Sequence, residues 1–464
     1  MTEITQKQYI LSSEKLDINM SENRVGNFFL YTDEKLKLTK LETENGRKLW
    51  LLGNAFCTDK ERSVEEDAAI FSGEDLLSLT RNWTGRWAVI TENELFTDAS
   101  GLMSAFYDIE KGVVSSSLAL IAKVTGKECR KMVGYSGINW QVFPSTRVDG
   151  VSALLATEKL NLNNGMLEAE FCNWIHDYRH LSTKEKCQKT ADILTTALKN
   201  IHNYSDKKIV LALTGGNDSR VTFAALLKSG VHFSCYTAEH SAISNCDREM
   251  PKKLAKAFNI EHTYIKKNVK SLEKLNDYYH FTAGNSNGVD TVFYACGQFD
   301  GFGDDVVIIR SGIYEAGQRY ARSYTKPDLQ GFVEGMTSFY HDLRNDESQK
   351  KAFTAWLDIV NKNPIDYIDI RDRFYIEQRV GGWAAAIEQS LDINQFTSIQ
   401  IVNCAELLSV FLSCNDDERE SFAIARGTMK ILKPEVLDFD INKRTFSDKI
   451  MIVVRAIKKR LKRR

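Results

Sequence analysis

At 464 residues the chain exceeds what one ordinary hydrophobic core supports, and roughly 150 residues per domain gives two or three domains, of which two is the reading adopted. Hydrophobic residues at 43%, charged residues at 27% and only 5 prolines exclude a disordered or membrane-embedded chain, and a net charge of -1 gives no basis for bulk nucleic-acid binding. The 9 cysteines are scattered and never spaced as CxxC, so neither a disulfide framework nor a zinc site is indicated and a reducing cytoplasm is the expected compartment. The first residues carry no basic-then-apolar leader and no apolar run approaches about 18 residues, which disfavours secretion and membrane spanning.

Residues 1–150 read as short alternating segments. Strands are expected over 25–31, 48–52, 87–90 and 113–116, separated by charged or Gly-containing turns, with one helix from about residue 72 or 73 through 79. That mixture predicts an α+β domain built on antiparallel strands. A weakly patterned join follows, from Pro144 through a connector over 151–181. Ser182-Thr183-Lys184-Glu185 is then a capping-box pattern, and Ala191, Leu194, Ala197, Leu198 and Ile201 make the apolar stripe of a helix.

Residues 207–230 carry the chemistry. Ile209, Val210, Leu211, Ala212 and Leu213 form an unbroken apolar run suited to a buried parallel strand. From Ser219 onward Val221, Phe223, Ala224 and Leu227 recur at helical spacing, up to Gly230. Between strand and helix lies Thr214-Gly215-Gly216-Asn217-Asp218-Ser219. Adjacent glycines permit dihedrals closed to other residues and keep side chains off the main chain, so backbone N–H groups can converge on phosphate oxygens at a helix N-terminus. Thr214 and Ser219 can add hydroxyl donors. Asp218 suits an anion site only if a divalent cation bridges it to the phosphates, which makes Mg²⁺ the expected metal. The spacing is neither that of a Walker loop nor GxGxxG.

Past the loop, strands are expected over 233–237, 262–265 and 305–309, with a helix over 247–259. The alternation predicts a doubly wound parallel sheet whose ligands sit outside the strand carboxyl ends. Thr237 and Glu239 fall at such an end, where adenine and ribose would lie. Asp247 reads first as a helix N-cap, and His262 as a structural residue at a strand start. From Asp328 the pattern is helical, with helices over 332–343, 349–361, 365–381 and 405–413. The tail, residues 450–464, is basic with Ile450, Val453 or Val454, Ile457 and Leu461 on one face, which suits either an anionic membrane surface or a frayed terminus.

The hexapeptide at 214–219 resembles the SGGxDS pyrophosphate-binding loop of the N-type ATP pyrophosphatases, with Thr214 in place of the usual Ser. Residues 85–121, with Asp98 to Gly101 as a D-x-x-G turn, Tyr107, and the Ser-rich end Ser115-Ser116-Ser117, resemble the amino-terminal domain of the asparagine synthetase family, a class II glutamine amidotransferase fold of the Ntn-hydrolase kind. The resemblance implies a degenerate amidotransferase-like domain over 1–150, a connector over 151–181, and an α/β ATP pyrophosphatase (synthetase) domain with a helical C-terminal part over 182–464. Active glutaminases of this family expose a cysteine as the mature first residue. Here Met1-Thr2-Glu3 opens the sequence and the first cysteine is Cys57, so glutamine hydrolysis by that route is not expected, with Thr2 as the remaining alternative nucleophile.

The family's SGxGxDExxGGY is matched at Ser311 and Gly312. Its Asp is missing, and Glu315 is the carboxylate left to face Mg²⁺ and pyrophosphate. Glu388 aligns best with the acidic group that relatives place near the amine, a surface salt bridge being the alternative. Asn442 to Lys449 resembles the late Lys-containing loop, so Lys443, then Lys449, is the candidate to stabilise the α-phosphate. Together these imply an ATP-dependent, AMP-forming carbon–nitrogen ligase that adenylates a carboxylate and transfers it to an amine or ammonia. Its implied cofactors are ATP and Mg²⁺, and its implied partners a small-molecule carboxylate and amine. Branches of this architecture serve natural-product and cell-surface polysaccharide synthesis, and the basic tail leans toward the latter, at the inner membrane face. Oligomeric state stays open, a homodimer being compatible with it. The rival readings are a non-catalytic scaffold, a nucleobase-modifying enzyme of the same loop type, and a glutamine-hydrolysing asparagine synthase.

Overall fold

The computed structural model describes residues 4–130, 137–138, 140–163, 165–239, 243–266, 280–283, 299 and 301–441. Alternating apolar residues in the first part build β1 (Tyr9–Ser12), β2 (Ser21–Val25), β3 (Phe28–Thr32), β4 (Leu38–Glu42), β5 (Lys48–Cys57), β6 (Trp83–Ile90), β7 (Glu94–Thr97), β8 (Phe106–Asp108) and β9 (Val113–Ser115). β10 (Ser152–Ala153), β11 (Glu158–Asn163) and β12 (Met166–Phe171) follow, so the expected connector supplies strands. Two six-stranded antiparallel sheets result, in the orders β10-β8-β9-β1-β3-β2 and β12-β11-β7-β6-β5-β4. Because side chains alternate across a strand, Tyr9, Leu11 and Leu30 of one sheet meet Leu52, Ala88 and Ile90 of the other in a shared core, while Ile10 and Leu51 point to other clusters.

Two expectations here are corrected. Residues 25–31 do not form one strand: Gly26, at φ +53°, turns the chain between β2 and β3. The helix expected from residue 72 or 73 through 79 starts later, and an unanticipated one precedes it: the two helices here are Val64–Ala69 and Leu76–Thr80. The first is nucleated by a Ser63–Glu66 capping box and the second by Asp75, whose carboxylate accepts from Leu77 N–H.

The second part is built on β13 (Lys208–Ala212), β14 (Phe233–Glu239), β15 (His262–Lys266), β16 (Val306–Arg310) and β17 (Thr397–Gln400), all parallel, in the order β15-β14-β13-β16-β17. β17 breaks the helical run anticipated after Asp328. Helices Thr183–Ser205, Asn217–Ser229 and Asn245–Ala257 flank this part of the chain, the first starting at the Ser182–Glu185 capping box. Leu194, Leu198 and Ile201 of that helix share one core with Leu211, Val307 and Ile399 of the sheet. The helix expected over 365–381 instead starts at Asp369, whose side chain caps Ile370–Phe374, and then widens into a π-helix, Tyr375–Ala384. Among the described residues no helix is long and apolar enough to cross a membrane, and the basic tail lies outside them.

The two parts meet through buried polar groups. Asn403 donates to Gly85 O at 2.6 Å and to Asp98 Oδ1 at 2.7 Å, and accepts from Ser100 Oγ at 2.6 Å. Thr84 donates to Ile401 O at 2.9 Å, and Arg81 pairs with Glu406. Asp98 is more than a turn residue: fully buried, it also accepts from Leu102 N at 2.9 Å and Met103 N at 2.8 Å, and burial pushes its carboxyl up.

Candidate functional site

β13 has β14 on one side and β16 on the other, so the chain leaves it where the strand order reverses, the position at which doubly wound sheets open a crevice. The Thr214–Ser219 stretch follows at this end. Ser219 folds it back: its Oγ accepts from Thr214 N at 2.9 Å and lies 3.0 Å from Thr214 Oγ1. Gly216 is the N-cap of the helix Asn217–Ser229 and provides no side-chain hydrogen bond, so the first-turn N–H groups keep their capacity for an anion. The glycines act otherwise than expected. Neither has a left-handed φ; a Cβ at Gly215 would sit 2.8 Å from Cys246 Sγ and 2.9 Å from Cys246 O, so close approach of the neighbouring helix is what demands glycine there.

That neighbouring helix is capped by Ser244, which accepts from Asp247 N at 3.0 Å, so Asp247 is not the N-cap. Its Oδ1 instead accepts from Gly215 N at 2.9 Å, tying the loop to the second helix. Thr237 donates to Leu213 O at 2.8 Å and lies 2.9 Å from His262 Nε2; it joins the ends of β13 and β14, and its hydroxyl is committed. Glu239 pairs with Arg248 at 3.5 Å.

Asp218, in the first turn of the helix after the loop, feels the charge of Glu315, which follows β16. Burial, with Glu315 adding repulsion, raises Asp218 from 3.8 to about 7, and Gln318 Nε2 reaches its Oδ1 at 3.4 Å. Burial also raises Glu315, against the pull of Arg379. Both side chains keep partial exposure. Such a pair fits a divalent cation whose other ligands are phosphate oxygens. No group of three or more His, Cys, Asp or Glu able to hold a metal unaided occurs among the described residues. Gly312, after β16, donates its N–H to Gln400 Oε1 at 2.8 Å, and Ser311 Oγ lies 2.9 Å from Thr222 Oγ1, which docks the Glu315 segment on the helix that follows the loop.

Glu388 is not a surface residue. Buried, its Oε1 pairs with Arg310 and accepts at 2.8 Å from Nε2 of the Gln400 that holds Gly312, while its Oε2 accepts from Ser398 Oγ at 2.7 Å, so both oxygens are occupied. Lys443 and Lys449 lie outside the described residues.

Two residues escaped the sequence reading. Arg220, buried directly under the loop, donates to Phe439 O at 2.6 Å, Asp440 O at 2.7 Å, Val436 O at 3.2 Å and Gly215 O at 3.4 Å, and burial pulls it down to about 10. It thereby fastens the chain just before Lys443 to the loop; an arginine on an otherwise apolar helix face was its only sign. Arg379, on the π-helix, lies 3.5 Å over the Trp383 ring and offsets Glu315 electrostatically. Tyr375, on the same helix, is buried and senses Glu315, Arg379 and Asp218.

No protein-family model matches the sequence, and no curated protein matches it. Among solved structures it is similar to the NMN synthetase from Francisella tularensis at 16% identity, over 43% of this chain and 94% of that one, with a TM-score of 0.21. An NH3-dependent NAD synthetase from Campylobacter jejuni matches at 11% identity over 44% and 96%, with a TM-score of 0.22. A glutamine-dependent NAD+ synthetase from Acinetobacter baumannii matches at 12% identity over 72% and 73%, with a TM-score of 0.24.

Proposed function

We propose that the chain is an ATP-dependent, AMP-forming carbon–nitrogen ligase of the asparagine synthetase type. The observation that carries this reading is the uncapped helix N-terminus at the strand-order reversal, faced by the Asp218–Glu315 pair. The first-turn N–H groups and the Thr214 and Ser219 hydroxyls hold the departing diphosphate. A substrate carboxylate displaces it from the α-phosphate, and an amine or ammonia then displaces AMP from the acyl carbon. The protein contributes positioning and charge neutralisation. When bound, Mg²⁺ supplies charge compensation between the phosphates and Asp218 with Glu315. Lys443, in the Lys-containing stretch Asn442 to Lys449, is assigned to the α-phosphate, with Lys449 second.

In this reading residues 1–150 are a degenerate class II amidotransferase-like domain, 151–181 the connector and 182–464 the synthetase domain. Cys57, the first cysteine, is buried and burial pushes its thiol up, which argues against a thiolate nucleophile and for an external amine. The substrate class would be that of natural-product or cell-surface polysaccharide assembly, in the cytoplasm or at the inner membrane face. The test is pyrophosphate release across a panel of carboxylates and amines, with Asp218→Ala as control. Carboxylate-dependent release lost in the control is the expected result. Absence of both release and ATP binding would favour a scaffold.

A further inference from the structure

A second recess lies at the opposite end of the parallel sheet. Its volume is ≈350 Å³, within the range of small-molecule sites. Lys207 precedes β13, Val307 is the second residue of β16 and Thr397 opens β17, so this recess borders the amino ends of the strands, whereas the nucleotide loop leaves their carboxyl ends. A five-residue strand separates the two by roughly 15 Å. The other wall comes from Asn54 on β5, Arg86 on β6, and Lys35 and Lys37 on the connection between β3 and β4.

Its charge is one-sided: five cations, Lys7, Lys35, Lys37, Arg86 and Lys207, line it with one carboxylate, Asp392. That carboxylate is spent, since both its oxygens lie 2.8 Å from Arg86 Nη1 and it accepts from Gln8 Nε2 at 3.0 Å. Lys207 donates to Thr397 Oγ1 at 2.9 Å, and Lys7 to the carbonyls of Asn394 and Phe396 at 2.8 Å, all neutral acceptors. Lys35 and Lys37 have no anionic partner among the described residues. Neutral donors are also available: Ser205 Oγ is buried with no hydrogen-bond partner, and the Asn54 side chain makes none among the described residues. Lys7 shows the strain of crowding, because burial, with Lys207, Arg86 and Lys35, lowers it to about 8 against the pull of Asp392. Like charge gathered around the Lys7 amine, which burial already lowers, is costly unless an anion joins it.

We propose that this recess is a binding site for a small organic anion bearing two or more negative charges, a polycarboxylate or a phosphate ester. The anion's oxygens are held by Lys35, Lys37 and Lys207 with Asn54 and Ser205, above the Arg86–Asp392 pair. The site is independent of the nucleotide reading and stands whether or not pyrophosphate is released. Binding should draw a proton onto Lys7 near pH 8, the facing groups being Asp392, Lys207, Arg86 and Lys35.

The test is isothermal titration of the full chain with citrate and, separately, with fructose 1,6-bisphosphate, in low-salt buffers of different ionisation enthalpy. One-site binding of at least one probe with proton uptake near pH 8 is expected. The double variant Lys35→Gln/Lys37→Gln, both positions being exposed and foldable, should weaken it about ten-fold or more, roughly 1.4 kcal/mol. Gly215→Ala, in the nucleotide loop, should leave it unchanged. Tighter citrate assigns the polycarboxylate, and tighter bisphosphate the phosphate ester. Absence of saturable binding of both probes, affinity unaltered by the lysine double variant, or binding lost in Gly215→Ala instead would each overturn the proposal.

Discussion

Replacing Asp218 by Asn should make the protein more stable and less active at once. In the folded chain burial and Glu315 raise this carboxyl from 3.8 to about 7. An acid raised on folding opposes the folded state wherever the unfolded chain is ionised. The opposition is absent below about pH 4, grows as pH rises, and is complete above about pH 7. At about 1.4 kcal/mol for each tenfold change in proton affinity, the shift corresponds to ~4 kcal/mol at pH 8, a ceiling because the side chain retains partial exposure. Asn removes that opposition while keeping the shape. Urea unfolding of both proteins at pH 4 and pH 8 is the measurement. The variant should gain a few kcal/mol at pH 8 and under about 1 kcal/mol at pH 4, with the denaturant slope unchanged. Pyrophosphate release should fall at least a hundred-fold. Equal stability at pH 8, or an equal gain at both pH values, would refute the claim that the carboxylate is held there against its own electrostatics.

Gly215→Ala drives a Cβ to 2.8 Å from Cys246 Sγ and 2.9 Å from its carbonyl, so it should cost about 1–3 kcal/mol and reduce ATP binding, read by thermal melting and nucleotide titration. Arg220→Ala takes the donor from the buried Val436 carbonyl and the part-buried Phe439 and Asp440 carbonyls and should cost about 3 kcal/mol; if Arg220 fastens a catalytic segment, the surviving folded enzyme should lose kcat rather than gain KM. Glu388→Gln should destabilise by about 3–5 kcal/mol through the loss of Arg310's buried carboxylate, with KM for the amine unchanged; a selective KM effect would restore the amine-side role for Glu388.

The strand-loop-helix around residue 214 was legible because three local signals agree: an apolar run, a glycine doublet and helical periodicity. The capping box at Ser182 and Glu185 was legible for the same reason, since its residues lie within one turn of each other. What escaped reading depends on residues distant in sequence. The need for Gly215 comes from Cys246, 31 positions away, and the commitment of Glu388 comes from Arg310 and β17. β17 has only four residues, Thr397–Gln400, and gains its strand character by pairing with β16. The π-helix at Tyr375–Ala384 has the same apolar spacing as an ordinary helix until its hydrogen bonds are seen. Arg220 was hidden because side-chain chemistry alone does not separate a solvated arginine from one threaded under a loop.

The Asn403 amide closes a joint in which Gly85, Asp98 and Ser100 come from one half of the chain and Asn403 from the other. Parting the halves would take from the fully buried Asp98 carboxyl its Asn403 donor and open the joint to water. The front half therefore contributes architecture whatever its chemistry, because the back half completes part of its interior with it.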